Sequence, residues 1–197
     1  MVDYEQLWAK EEFRNKKCRS FLHCDLFLSL QSYVKKNTNS KYLDTDDTVT
    51  DWGCGNGSHA EKMLDMGLDV VGLNDIASNS LSRSAEQQFG SIFQGEPLWS
   101  ATPRKSCFSY CSDVLEHLSE DKLDEAIKNI VDHTKRPGFV FLNVASIKDV
   151  WKGMDLHETV RPFKWWMDKF IDAIPGVCVF SYNLRNSSLG TFWFLPL

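Results

Sequence analysis

Several absences bound this chain before any motif is read. No apolar run approaches the roughly 20 residues that a membrane-spanning helix needs, so no membrane partner is expected. The first residues, Met1-Val2-Asp3-Tyr4-Glu5, lack the basic-then-apolar pattern of an export signal, and a cytoplasmic protein is expected. The six cysteines (18, 24, 54, 107, 111 and 178) form no Cys-x-x-Cys pair and no dense framework. That argues against a disulfide scaffold and a cysteine zinc site. His157-Glu158 does not open an H-E-x-x-H zinc motif, because Arg161 holds the second histidine position; no metal is expected. Positive charge is not in excess either. The net charge of −5 gives no global attraction to a phosphate backbone. One basic run, Arg14-Asn15-Lys16-Lys17-Cys18-Arg19, reads either as a solvated helix face or as a patch for nucleic acid or another anion.

What is present is an ordinary globular composition with one unusual loop. At 197 residues, 43% hydrophobic and 25% charged, the chain can bury a sizeable core in one domain. Its most informative stretch is Asp51-Trp52-Gly53-Cys54-Gly55-Asn56-Gly57. It follows a strand-like run (48–50) and precedes a helical one (58–66). Three glycines at alternate positions let the backbone turn tightly and approach a ligand closely. A dinucleotide site wants G-x-G-x-x-G; here the third glycine comes one position early, and Ser58 stands in its place. A carboxylate before the first glycine would repel a pyrophosphate and suit an ammonium group.

Strands and helices alternate along the rest of the chain. Residues 3–36 carry apolar stripes at helical spacing, with a break near Ser20. Residues 35–47, with Asn37-Thr38-Asn39-Ser40, form a polar loop. Further strands are expected at 69–73, 91–94, 107–111, 139–144, 177–182 and 191–195. Helices are expected at 78–89 with Ser78 or Ser80 as N-cap, from Ser119 to an end at Pro137-Gly138, and over 161–173 with Pro162 in the first turn. This pattern indicates a doubly wound α/β sheet, and the last two strands lack a helix between them.

The glycine loop, with Asp51, Gly53, Gly55 and Gly57 on the motif positions, resembles the first motif of class I S-adenosylmethionine-dependent methyltransferases. The resemblance covers roughly residues 45–195. It implies a Rossmann-like, mostly parallel seven-stranded sheet with an antiparallel C-terminal hairpin. Residues 1–44 would then be a helical extension, serving as lid, dimer contact or packing layer, and 45–197 the cofactor-binding domain. Ligands of such sheets bind beyond the carboxyl ends of the strands.

The resemblance assigns S-adenosylmethionine to Asp51, Gly53, Cys54 and Gly55, and then to the later strand ends. At the second, Asp75 lies 18 positions after Gly57 and is favoured for the ribose hydroxyls; Asn74, on the family's usual spacing, is the alternative. At the third, Glu96, Leu98 and Trp99 match the adenine site. At the fourth, Asp113-Val114-Leu115-Glu116-His117-Leu118 resembles a stretch of many small-molecule methyltransferases, and Asp113 faces both the cofactor and the acceptor. The segment Leu156-His157-Glu158-Thr159-Val160-Arg161-Pro162, continuing to Trp165-Trp166, resembles one in some phage and bacterial methyltransferases. His157 is the candidate general base, since an ordinary histidine with a pKa of about 6.5 removes protons near neutral pH. The tryptophan pair reads as core, not as a substrate platform.

The acceptor class is bounded by two absences. No [D/N/S]-P-P-[Y/F] turn follows the fourth strand, and the chain contains no Pro-Cys pair, which disfavours methylation of nucleic-acid bases at amino groups or at cytosine C5. A small-molecule acceptor is expected. A nucleic-acid or nucleotide acceptor and a non-catalytic cofactor-binding module stay open, as do monomer and homodimer.

Overall fold

The computed structural model describes residues 2–17, 21–37, 47–174, 177–184 and 187–194. Seven strands form the main sheet: β1 (Thr48–Trp52), β2 (Asp69–Asp75), β3 (Phe93–Gly95), β4 (Ser106–Ser112), β5 (Thr134–Ala145), β8 (Val177–Leu184) and β9 (Ser187–Phe194). Their order is β3-β2-β1-β4-β5-β9-β8. The first five are parallel; β9 runs antiparallel to both β5 and β8. This is the expected seven-stranded sheet with its terminal hairpin.

Alternation along the strands, with a bulge in β2 between Val70 and Gly72, divides the core into two layers. Val49, Val70, Leu73, Phe108, Tyr110, Phe139 and Phe141 point to one face, where α3 (Leu22–Asn37), α4 (Ser58–Asp65) and α5 (Arg83–Phe89) cover them. Trp52, Cys111, Val140, Leu142 and Val144 point to the other, under α6 (Glu120–Asp132) and α7 (Phe163–Ala173). Every residue of β1 is buried, as a central strand covered on both faces requires. Helix α6 buries Leu123, Ala126, Ile127, Ile130 and Val131, the i, i+3, i+4, i+7 stripe of an amphipathic helix. Phe27 of α3 sits at the centre of the first layer, with ring centroids 5.3–6.3 Å from Phe108, Tyr110, Phe139 and Phe141.

Several boundaries depart from the sequence reading. The first helical stretch is three helices: α1 (Tyr4–Trp8), α2 (Glu11–Lys17) and α3. The helix expected at 78–89 starts only at Arg83. Its N-cap is Ser82, whose Oγ accepts the Ala85 N–H at 3.1 Å, while Ser78 Oγ donates instead to Glu5 Oε1 at 2.7 Å. The helix after Ser119 stops at Asp132, not at Pro137-Gly138; β5 starts at Thr134 by pairing with Ser106. Pro137 falls where the β4–β5 register shifts and just before pairing with β9 begins at Gly138, so its missing N–H interrupts neither ladder. Pro162 is the N-cap of α7 and not part of its first turn. A small hairpin, β6 (Val150–Trp151) with β7 (Met154–Asp155), was not foreseen. The break near Ser20, most of the 35–47 loop, the 44/45 domain boundary, and Cys18 and Arg19 of the basic run lie outside the described residues. No helix among the described residues is long and apolar enough to cross a membrane.

Candidate functional site

One cavity of about 470 Å³ opens at the carboxyl ends of β1, β2, β4 and β5. Helices α1 and α2 form its far wall through Tyr4, Trp8 and Phe13. Its size is that of a pocket for a small ligand.

The loop after β1 builds one side. Gly53, Gly55 and Gly57 take φ of 70°, 54° and 83°, the left-handed region that only glycine enters without strain. Close packing also requires them. A Cβ on Gly53 would stand 2.2 Å from Val114 Cγ2, and one on Gly57 2.5 Å from Ala85 Cβ. Asp75, at the end of β2, braces the loop: its Oδ2 accepts the Gly55 N–H at 2.9 Å and its Oδ1 the Ala77 N–H at 3.0 Å. Burial pushes the Asp75 carboxyl up to about 6 against those two hydrogen bonds. Asn74 donates through Nδ2 to the carbonyls of Gln94 and Glu96 at 3.1 and 2.7 Å, so it ties β3 to β2; its Oδ1 is buried without a hydrogen-bond partner.

Asp51 lies inside β1, 1% exposed, behind the loop and not on the cavity surface. Its Oδ2 has no hydrogen-bond partner, and burial, then the charge of Asp75, pushes its carboxyl up to about 8. Cys54 is likewise buried off the cavity, with a thiol driven well above its ordinary value by burial. Gly53 and Gly55 line the cavity, as do Leu98 and Trp99. Glu96 is exposed and takes part through its backbone carbonyl, not through its carboxylate. The Leu98–Trp99 loop is held by Asn129 of α6, whose Nδ2 donates to the carbonyls of Leu98 and Ala101 at 2.8 and 2.7 Å.

The opposite side centres on Asp113, just beyond β4. It has φ 56°, unusual for a residue with a side chain. A network holds it there. Its N–H donates to the Asn143 carbonyl at 3.0 Å, Asn143 Nδ2 donates to Oδ1 at 3.0 Å, Ser112 Oγ donates to Oδ2 at 3.1 Å, and His23 Nδ1 lies 3.0 Å from Oδ2. The Asp113 side chain is about half exposed at the cavity, and although its setting still works to raise the carboxyl, the bonds from His23 and Ser112 and the His23 charge outweigh that and hold it below the ordinary value.

Two more histidines stand further along this wall. His117, in a single 3-10 turn (Leu115–His117), has Nδ1 2.7 Å from the Tyr4 hydroxyl and 2.9 Å from the Leu156 carbonyl. His157 has Nδ1 2.6 Å from the Ile147 carbonyl. The two rings are 4.6 Å apart and nearly perpendicular.

His157 and Asp113 therefore share a cavity with the glycine loop, Asn74, Asp75, Leu98 and Trp99. Trp166 is fully buried against Phe170, and neither tryptophan of the pair reaches the cavity. Sequence reasoning missed His23, Tyr4 and the bracing role of Asn143. Nothing local marks them, since their partners lie 30 to 152 residues away. Arg14, from the basic run, turns inward and donates to the carbonyls of Trp8, Asn79, Ser80 and Leu81, closing the first helices onto the β2 end.

No family model matches the sequence, and no curated protein matches it either. Solved structures do. An S-adenosylmethionine-dependent methyltransferase from Clostridium acetobutylicum ATCC 824 superposes with a TM-score of 0.66 at 11% identity, over 97% of this chain and 97% of that one. Magnesium protoporphyrin IX methyltransferase from Synechocystis PCC 6803, with S-adenosylmethionine bound, gives 0.58 at 17% identity over 98% of both chains. The CurJ carbon methyltransferase gives 0.69 at 11% identity, over 98% of this chain and 61% of that one. The chain has the fold of S-adenosylmethionine-dependent methyltransferases.

Proposed function

We propose that this protein is an S-adenosylmethionine-dependent methyltransferase acting on a small-molecule acceptor. The observation that carries the reading is Asp75 bonded to the Gly55 N–H at the rim of the cavity, on a methyltransferase fold. Each Asp75 oxygen accepts one backbone N–H and keeps lone pairs for a ribose hydroxyl. The Asn74 Oδ1 is the second acceptor at that position. Leu98 and Trp99 offer apolar surface for an adenine ring. Gly53 and Gly55, where the absence of side chains leaves room, would hold the methionine part, with Asp51 beneath the loop. A buried carboxyl lacking a hydrogen-bond partner is costly, and a cation across the loop would lower that cost.

The cofactor supplies an activated methyl group; the protein's task is alignment and exclusion of water. The acceptor enters on the side of Asp113, His117 and His157. Asp113 is kept ionised by His23, Ser112 and Asn143 and orients a donor on the acceptor. His157 is the group placed to take a proton from an acceptor that arrives protonated. Two features favour a small molecule over nucleic acid. The site is a cavity of small-ligand size, about 470 Å³, and Arg14 of the basic run is engaged with backbone carbonyls.

Titration calorimetry with S-adenosylmethionine, S-adenosylhomocysteine and NAD tests the proposal. Saturable heat with the first two and none with NAD is expected; binding of NAD alone would overturn it.

A further inference from the structure

We propose that Glu116, His117 and His157 form a binding site for a divalent transition-metal cation on the acceptor wall of the cavity. One ligand atom from each residue lies within 4.8 Å of the other two. They come from two separate segments, the turn after β4 and the loop after β7, which the fold pins together. The Thr159 N–H donates to the Glu116 carbonyl at 2.9 Å, and Thr159 Oγ donates to the Leu118 carbonyl at 2.7 Å.

The hydrogen bonds of the imidazoles assign the nitrogen that each offers. A carbonyl can only accept, so the 2.6 Å approach of the Ile147 oxygen puts the proton of His157 on Nδ1. The Leu156 oxygen, 2.9 Å from His117 Nδ1, does the same there. The Tyr4 hydroxyl donates to that same Leu156 carbonyl at 3.2 Å, and its oxygen keeps lone pairs with which to accept from His117 at 2.7 Å. Both histidines thus carry their lone pair on Nε2. Donation of the other ring N–H to a backbone carbonyl is the arrangement found around metal-ligating histidines.

The carboxylate is oriented too. Glu116 is fully buried, and its Oε1 accepts the Ala145 N–H at 2.7 Å, at the end of β5. Two imidazoles and one carboxylate suit Zn²⁺, Fe²⁺ or Co²⁺ better than Mg²⁺ or Ca²⁺, which prefer all-oxygen sites. Bonds of about 2.1 Å in a tetrahedral site place ligands about 3.4 Å apart, so the widest pair closes by at most about 1.4 Å. Three protein ligands leave a position open toward the cavity, where an acceptor oxygen or nitrogen would bind. This deepens the reading of the acceptor wall and rests on it; His157 then holds the cation in place of the acceptor's proton.

Full-length, tag-free protein is stripped with a chelator and titrated with Zn²⁺ by calorimetry and with Co²⁺ by visible absorption. S-adenosylhomocysteine binding is measured on the same samples. One equivalent of each cation is expected, with Co²⁺ ligand-field bands and no thiolate charge-transfer band. His117→Ala and His157→Ala should each weaken Zn²⁺ more than about 100-fold while leaving S-adenosylhomocysteine affinity unchanged. Both are half-buried and serve as the tests if Glu116→Gln, at a fully buried position, fails to fold. Absence of stoichiometric binding, unchanged affinity in both histidine variants, or a thiolate band would overturn the site. Failure to bind S-adenosylhomocysteine would instead overturn the methyltransferase reading alone.

Discussion

The two walls of the cavity are assembled over different distances along the chain. On the β1–β2 side, the contacts that set the geometry join residues 2 to 22 positions apart: Asp75 to Ala77, Asp75 to Gly55, Asn74 to Gln94 and to Glu96. On the histidine side some contacts are of middling range, His157 to Ile147 at 10, Asn143 to Asp113 at 30 and His117 to Leu156 at 39, but those made by the N-terminal helices span 89 to 152 positions: Ser112 to His23, Asn143 to His23, Tyr4 to His117 and to Leu156. The first wall is a property of one strand–loop–helix unit and its neighbour. The second is completed only when Tyr4 and His23 of the N-terminal helices have closed onto it. On the proposed reading, the methyl donor falls to the locally encoded wall and the acceptor to the wall that distant segments complete.

The largest effect expected on the local wall comes from Gly53→Ala. The new methyl would meet Val114 at 2.2 Å in a left-handed backbone. Overpacking and strain together should cost about 3 kcal/mol. Urea denaturation should show that loss, and S-adenosylhomocysteine binding should disappear. Wild-type binding would mean that the loop is not the rigid element argued here. Next is Asp75→Ala, which removes the carboxylate while leaving the sheet. Loss of charged hydrogen bonds to the ribose should weaken S-adenosylhomocysteine about 10- to 100-fold by calorimetry. An unchanged affinity would move the ribose to Asn74.

The distant wall responds through charge. His23→Ala removes the hydrogen-bond partner and charge that hold the Asp113 carboxyl low, so the carboxyl should titrate at higher pH in a carbon-detected NMR titration. The sign for stability follows. A carboxyl depressed in the folded state stabilises above its unfolded pKa, about 3.9, and that contribution is lost as pH falls below it. Wild type should therefore lose more stability than His23→Ala on acidification below about pH 4. An Asp113 titration that does not move would show that Ser112 and Asn143 alone set it.

The same difference in distance explains what could be read from the sequence. The glycine loop, Asp75 and the end of β4 announce themselves because turn chemistry and strand periodicity act over a few residues. The doubly wound sheet and its closing hairpin follow from strand–helix alternation and the two helix-free final strands, while the seven-stranded count comes with the family resemblance. His23 was invisible because it sits inside an apolar stripe of α3, and only tertiary packing shows that this face ends against Asp113. The start of α5 was misplaced because Ser78, a good N-cap by type, is occupied by Glu5 from 73 residues away. Pro137 looked like a helix stop; it lies at a register shift within β5, which no one-dimensional pattern reveals. Asp51 and Glu96 were chosen for their carboxylates, yet the first is buried behind its loop and the second turns outward.

The smallest expected effect, a fraction of a proton, reports most directly on Asp51. Its carboxyl titrates near 8 in the folded protein and near 3.9 when unfolded. Between those values the folded state holds the extra proton, so the cofactor-free protein should lose stability as pH rises from about 4 to about 8. Asp51→Asn should flatten that slope. A cation seated across the glycine loop favours the ionised carboxyl and pulls its titration down. Binding at pH 7 should then release part of a proton, seen as a buffer-dependent heat when titrations with S-adenosylhomocysteine are run in buffers of different ionisation enthalpy. The release should vanish above about pH 9, where Asp51 is already ionised, and in Asp51→Asn at any pH. A release of the same size in that variant would assign the proton to Asp75, whose carboxyl titrates near 6. It would also leave Asp51 with no part in holding the methyl donor.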